Sequence, residues 1–355
     1  MKLGLFLAIA SLLFACTPAP VAAADPLTEY LEQAVRAKRF RGAVEVRRGD
    51  EVVLRRGFGQ ADLRDETPNR PDTRFRVASV TKQFTALAVL LLQEQNKLRV
   101  TDPVCTHLPA CPPHWQPITI EHLLTHTSGL HDYADVMQED LHQFYRDVGS
   151  QPSPERLIQT FADRPLDFSP GAGLAYSNSG YVVLGQLVER VSGESYGDFL
   201  RREILDPLGM SDTGYAPGRA AGRDAAGYEN WTTPAAAFDD SVFFSSGGLT
   251  STVTDLGRWQ QFLLTGEPAI CEPETLAELL LPRVAEGTTR WYGYGIESTG
   301  SSTTEIDGYF HSGSIPGFSS YVEVRPKGDL TVALAANMEL DAHTFGRDLV
   351  RLASR

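Results

Sequence analysis

The sequence predicts an α/β fold in which an antiparallel sheet flanked by helices carries an inserted all-helical lobe. Three observations predict it. Alternating apolar and polar segments with hairpin turns stand near both ends of the 355-residue chain. A long apolar helix opens near residue 81, and the middle reads as short helices separated by Pro and Gly. Antiparallel hairpins at opposite ends of a chain can share one sheet. Residues 25–95 and 241–355 are therefore assigned to a discontinuous sheet domain and 96–240 to a helical insertion.

Taken in order, residues 1–24 stand apart from the fold. Lys2 precedes the apolar run Leu3 to Ala15, which is too short for a permanent membrane span and has the pattern of an export signal. Two processing sites are open. Leu13-Phe14-Ala15-Cys16 resembles a lipoprotein signal, which would place a lipid anchor on Cys16, and Ala22-Ala23-Ala24 offers simple cleavage before Asp25. Both predict a chain that leaves the cytoplasm, as a periplasmic or secreted protein or as a membrane-anchored lipoprotein.

A helix is expected over Asp25 to Lys38. Ala43 to Arg48 and Glu51 to Phe58 alternate around Arg48-Gly49-Asp50, a hairpin signal. Tyr321 to Arg325 and Leu330 to Asn337 repeat the pattern around Pro326-Lys327-Gly328-Asp329. From Thr81 to Leu92 the chain is apolar nearly all round, as in a helix inside a large domain. Within the insertion, helices are expected at Glu121 to Thr125, Pro154 to Ala162, Gly180 to Val191 and Tyr196 to Leu205, with a long loop from Gly214 to Asp240.

Composition narrows the function class. Hydrophobic residues make up 42% of the chain, enough for a substantial core. The formal charge is -13, and loss of Lys2 with the leader makes it -14. Such an acidic chain argues against nucleic acid and against charge-driven binding to anionic membranes. Cys105 and Cys111 flank a short Pro-containing loop and are predicted to form a disulfide, leaving Cys271 without a partner. The alternative, a metal site from Cys105, His107, Cys111 and His114, matches no standard zinc spacing. No cofactor is implied.

Three constellations carry chemistry. Ser79-Val80-Thr81-Lys82 opens the apolar helix, and a Ser and a Lys three apart on a helix share one face. Burial disfavours the charged form of a lysine, so Lys82 could be a neutral amine able to take the Ser79 proton. Lysine is scarce here, five residues against 27 arginines, so a merely solvated cation would more often be Arg. Tyr176-Ser177-Asn178 could set a phenol beside an amide. Tyr176 would shuttle protons if nearby cations lower its pKa, and Asn178 would orient a substrate carbonyl, or simply cap the following helix. His311-Ser312-Gly313-Ser314 precedes a strand. Gly313 would let substrate approach the backbone closely, and the Ser314 N–H could join the Ser79 N–H as an oxyanion hole, although taken alone this stretch reads as an ordinary turn.

Together, in this order, the three resemble the serine penicillin-recognising superfamily, and more narrowly class C β-lactamases, D,D-peptidases of the S12 type and family VIII carboxylesterases. The resemblance runs through SVTKQFTA (Ser79 to Ala86), LLTHTSGL (Leu123 to Leu130), PGAGLAYSNSGYVVLGQLVERVSG (Pro170 to Gly193), DPLGMSDT (Asp206 to Thr213), SSGGLTSTVTDLGRW (Ser245 to Trp259) and HSGSIPGFSS (His311 to Ser320). It implies a β-lactamase/transpeptidase-like fold and an exported serine hydrolase working through an acyl-enzyme on Ser79. Lys82 and Tyr176 would be the proton-transfer pair, Asn178 a substrate-orienting group, and His311, Ser312 and Gly313 the opposite wall. Class C enzymes usually carry Lys where this chain has His311, and a histidine is only partly charged near neutral pH. The departure leans towards a peptidase-like or esterase-like hydrolase. A β-lactamase and a non-catalytic penicillin-binding sensor are the alternatives.

Two further patterns compete. Gly193-Glu194-Ser195-Tyr196-Gly197 fits a G-x-S-x-G nucleophile elbow, but an elbow needs a preceding strand and helical spacing precedes this one. His122 and His126 could share a helical face, but lack the H-E-x-x-H arrangement of zinc proteases.

Overall fold

Strand Gly42–Arg48 pairs with Glu51–Phe58 on one side and with Leu330–Ala336 on the other, so the two ends of the chain meet in one sheet. The computed structural model describes residues 25–149, 151–215, 223–236 and 238–355. The leader with Cys16 lies outside the described residues. The sheet has eight antiparallel strands in the order 51–58, 42–48, 330–336, 318–325, 305–315, 297–302, 290–292, 284–285.

Period-two alternation divides the strand residues between two cores. Val44, Val46, Val332 and Leu334 face helices Pro26–Arg36 and Ala342–Ala353, which close one side. Ala43, Ala333 and Ala335 belong to the other core, where helix Val253–Thr265 packs on the same strands. Asp25 caps the first helix, its side chain accepting from Thr28 N at 3.0 Å, and Pro26 follows at a position that needs no N–H donor.

Helix Thr81–Glu94 runs through the larger core. Every residue from Thr81 to Leu92 is buried. Each Leu in that run contributes roughly 1.5–3 kcal/mol of burial free energy. It packs against helices Asn178–Ser192 and Pro273–Leu280, bringing the inserted helices against the sheet domain. The insertion holds the helices Ile120–Leu124, Tyr133–Glu139, Leu141–Val148, Pro154–Gln159 and Tyr196–Leu200, the last running into a π-helical turn at Arg201–Leu205. Tyr133–Glu139 and Leu141–Val148 were not expected from the sequence; their only periodic signal is short. A small second sheet, in which Leu249–Ser251 pairs with both Phe75–Arg76 and Gly214–Tyr215, ties the two parts together beside Ser79. Cys105 and Cys111 are disulfide-bonded and Cys271 is free and buried. Among the described residues no helix is long and apolar enough to cross a membrane.

Candidate active site

Ser79 lies in a 3-10 turn, Ala78–Val80, that runs directly into helix Thr81–Glu94, rather than in the helix's own first turn as expected. Ala78 has φ +47°, a left-handed conformation that costs an L-residue about 1–2 kcal/mol. The surroundings hold it there. Val77 N donates to Leu249 O at 3.0 Å, and Val77 O accepts from Ser320 Oγ at 2.7 Å.

Lys82 sits beneath that turn and is fully buried. Its Nζ is 3.2 Å from Ser79 Oγ, and it donates to Asn178 Oδ1 and to the Ser246 carbonyl, each at 2.8 Å. Loss of solvent pushes its pKa down to about 7, against the opposing pull of the Asp132 charge. Near neutral pH a large share of Lys82 is therefore unprotonated, and a neutral amine has a lone pair for a proton.

Helix Asn178–Ser192 starts immediately after the second motif. Ser177 is its cap, accepting from Gly180 N at 3.3 Å, which frees Asn178 from the capping role considered above. Asn178 Oδ1 meets Lys82, and its Nδ2 donates to Asp132 Oδ2 at 2.9 Å. The Tyr176 ring centroid lies 4.7 Å from Lys82 Nζ. Burial of the phenol raises its pKa, with a hydrogen bond to Ser79 pulling the other way, and the residue's 45% exposure lets water moderate the rise. This differs from the expectation of a cation-lowered tyrosine, because burial outweighs the opposing hydrogen bond to Ser79. Tyr176 enters as a neutral phenol.

The third motif is not a turn. His311, Ser312, Gly313 and Ser314 lie within strand Glu305–Ile315, and the turn follows at Pro316-Gly317. The neighbouring strand ends its pairing where Glu297 faces Phe310. From His311 onward that edge is open towards Ser79. Gly313, expected from the sequence to give substrate close access to the backbone, is instead buried and does not line the cleft. A Cβ there would meet Val77 O at 2.4 Å and Ser320 Oγ at 2.5 Å, so the glycine lets the strand press against the turn that carries Ser79. Ser312 and Ser314 line the cleft beside Ser79, Tyr176, Asn178, Glu297 and His311, around a cavity of about 400 Å³. A larger cavity of about 620 Å³ lies beyond Pro316, away from the serine.

His311 departs most from the expectation of partial charge. It is buried, its Nδ1 donates to the Ser312 carbonyl at 2.6 Å, and its Nε2 is 3.2 Å from the Tyr292 hydroxyl. Desolvation, reinforced by the nearby Lys82, holds its pKa down to about 3. It is a neutral imidazole with both nitrogens engaged inside the protein. Glu297, at the end of the open edge and ion-paired to Arg290, is pushed up to about 7 by burial and the proximity of Glu286, against the pull of Arg290.

The competing patterns resolve structurally. Gly193 is the left-handed C-cap (φ +78°) of helix Asn178–Ser192, and Ser195 caps the next helix by accepting from Asp198 N at 3.1 Å. His122 accepts from Thr119 N in a capping box, and His126 is buried with Nδ1 accepting from Ser177 N at 3.1 Å. Among the described residues no cluster of His, Cys, Asp or Glu could hold a metal ion. Asp132, Glu297 and the Ser246 carbonyl were missed by the sequence reading. Asp132 carried a usable signal, since it stands at the cap position of a helix that weak periodicity concealed.

Known proteins share this fold over most of the chain. The β-lactamase family model matches residues 27–354. A penicillin-binding protein of Bacillus subtilis (strain 168) is 29% identical over 304 residues, 79% of this chain and 64% of the relative. Esterase EstB of Burkholderia gladioli is 38% identical over 202 residues, 53% of this chain and 50% of that protein. The chain thus spans between half and two thirds of the length of these two. The crystal structure of a penicillin-binding protein from Bacillus halodurans superposes with a TM-score of 0.77 at 26% identity, covering 92% of this chain and 98% of the other. The chain belongs to the β-lactamase family and is a hydrolase of the serine β-lactamase type.

Proposed function

We propose that this chain is an exported hydrolase that forms an acyl-enzyme on Ser79 and cleaves carboxylic esters, and amides of similar shape, that carry no carboxylate beside the scissile bond. The observation that carries the reading is His311. A D,D-peptidase or β-lactamase must hold an anionic carboxylate next to the reacting bond, and a charge-assisted donor is the strong way to do so. Here the ring is neutral, its one N–H is spent on Ser312 O, and the wall continues into Glu297. The esterase relative points the same way.

In the proposed reaction Ser79 Oγ bonds to the acyl carbon as its proton passes to the Lys82 lone pair. Backbone N–H groups of Ser79 and Ser314 accommodate the oxyanion. The proton then travels through the Tyr176 hydroxyl to the leaving oxygen or nitrogen. Water cleaves the acyl-enzyme by the reverse transfer, returning a proton to Ser79 Oγ. The Leu3 to Ala15 run and the Cys105–Cys111 bridge support an oxidising compartment outside the cytoplasm, with Cys16 a lipid anchor if the lipoprotein site is used.

The test is turnover of a p-nitrophenyl ester, a cephalosporin and a peptide ending in D-Ala-D-Ala, side by side, with mass spectrometry after fluorophosphonate treatment. The ester should be the best substrate and the adduct should sit on Ser79. An adduct on Ser195, or faster turnover of either carboxylate-bearing substrate, overturns the reading.

A further inference from the structure

A neutral lysine amine has two N–H bonds and one lone pair, and what its neighbours take decides where the lone pair points. Around Lys82 two acceptors stand at 2.8 Å, Asn178 Oδ1 and Ser246 O. They consume both N–H bonds. The remaining direction is Ser79 Oγ, at 3.2 Å. The arrangement works only while Asn178 presents its oxygen. An amide turned over would present NH₂ to the amine and claim the lone pair that Ser79 needs. Asp132 prevents this, because its Oδ2 faces the other end of the amide at 2.9 Å and a carboxylate can only accept.

We propose that Asp132 is a positioning residue: it holds the Asn178 amide with its oxygen towards Lys82, and so aims the Lys82 lone pair at Ser79. Asp132 is itself anchored. Its Oδ1 accepts from Ala134 N at 3.1 Å at the start of helix Tyr133–Glu139, and the adjacent Tyr133 N donates to Ser179 Oγ at 2.8 Å, next to Asn178. Its charge also raises the Lys82 pKa against the desolvation that lowers it. The inference rests on Ser79 and Lys82 being nucleophile and base.

Three variants test it in the whole protein with a p-nitrophenyl ester: Asp132→Asn, Asp132→Ser, and the exchange Asp132→Asn with Asn178→Asp. Serine retains a helix cap, so loss of the cap and loss of the carboxylate are separated. Both single variants should lose about tenfold or more in kcat/KM, of the size expected when a general base is misaligned. The ascending limb of their pH profiles should move to lower pH. The exchanged pair again puts an acceptor beside Lys82 and a donor behind it; its limb should move to higher pH, with activity there above that of Asp132→Asn. Single variants within twofold of wild type, unmoved limbs, or an exchanged pair no better than Asp132→Asn at any pH would overturn the proposal. A wild-type protein that fluorophosphonate does not label on Ser79 would instead overturn the underlying assignment.

Discussion

Replacing Lys82 with methionine should change how stability depends on pH, and the size of the change follows from burial. Burial pushes the lysine down to about 7 in the folded chain, against about 10.4 when unfolded. Between those values the unfolded chain holds a proton that the folded chain lacks, so wild-type stability rises with pH by about 1.4 kcal/mol per unit. Below that window both states are protonated and the full penalty, on the order of 4–5 kcal/mol, is present. Methionine does not titrate. The advantage of Lys82→Met over wild type should therefore shrink by about 3 kcal/mol between about pH 7.5 and 9.5. The hydrogen bonds to Asn178 and Ser246 lost in the variant add an offset that does not vary with pH across this window. Urea denaturation of both proteins at a series of pH values measures the difference directly, provided the m-values agree. A difference that stays flat would mean that Lys82 keeps its proton in the folded state, and the assignment of a neutral base would fall.

The remaining expectations use the same site. The kcat/KM of the wild type should climb through a limb centred near pH 7, because the base acts only when deprotonated; a profile flat from about pH 5 to 9 would exclude Lys82 as that base. Gly313→Ala should cost about 1–3 kcal/mol and lower kcat as well, since the added methyl collides with Val77 O and displaces the Ser79 turn; an unchanged melting temperature would refute the packing argument. His311→Lys should raise the ratio of kcat/KM for a D-Ala-D-Ala peptide over a neutral ester by roughly tenfold, by supplying a charge-assisted donor. An unchanged ratio would show that this position does not set the preference.

What could be read in advance was what local pattern encodes. The apolar run from Thr81 to Leu92 and the hairpins at both ends follow from side-chain periodicity, and the observed elements lie within a few residues of the expected ones. Ser79 and Lys82 were visible because their spacing is local. His311 was misjudged, because its charge depends on burial beneath elements distant in sequence and on the nearby Lys82. The packing role of Gly313 was not legible, because the backbone it presses against is that of Val77, far away in the chain. Asp132 was missed because its partner Asn178 lies 46 residues further on.

The pairing of Gly42–Arg48 with Leu330–Ala336 bears on when this protein can become active during synthesis. The turn that presents Ser79 is covered by Gly313 and by Ser320, the latter 243 residues beyond Val77, so the nascent chain must extend through both before the nucleophile has its mould. Contacts of such long sequence separation close slowly. The helices between them can form early, but the reactive serine cannot be assembled until the strands that carry Gly313 and Ser320 arrive. A fragment ending before residue 311 should hold secondary structure and no hydrolytic competence.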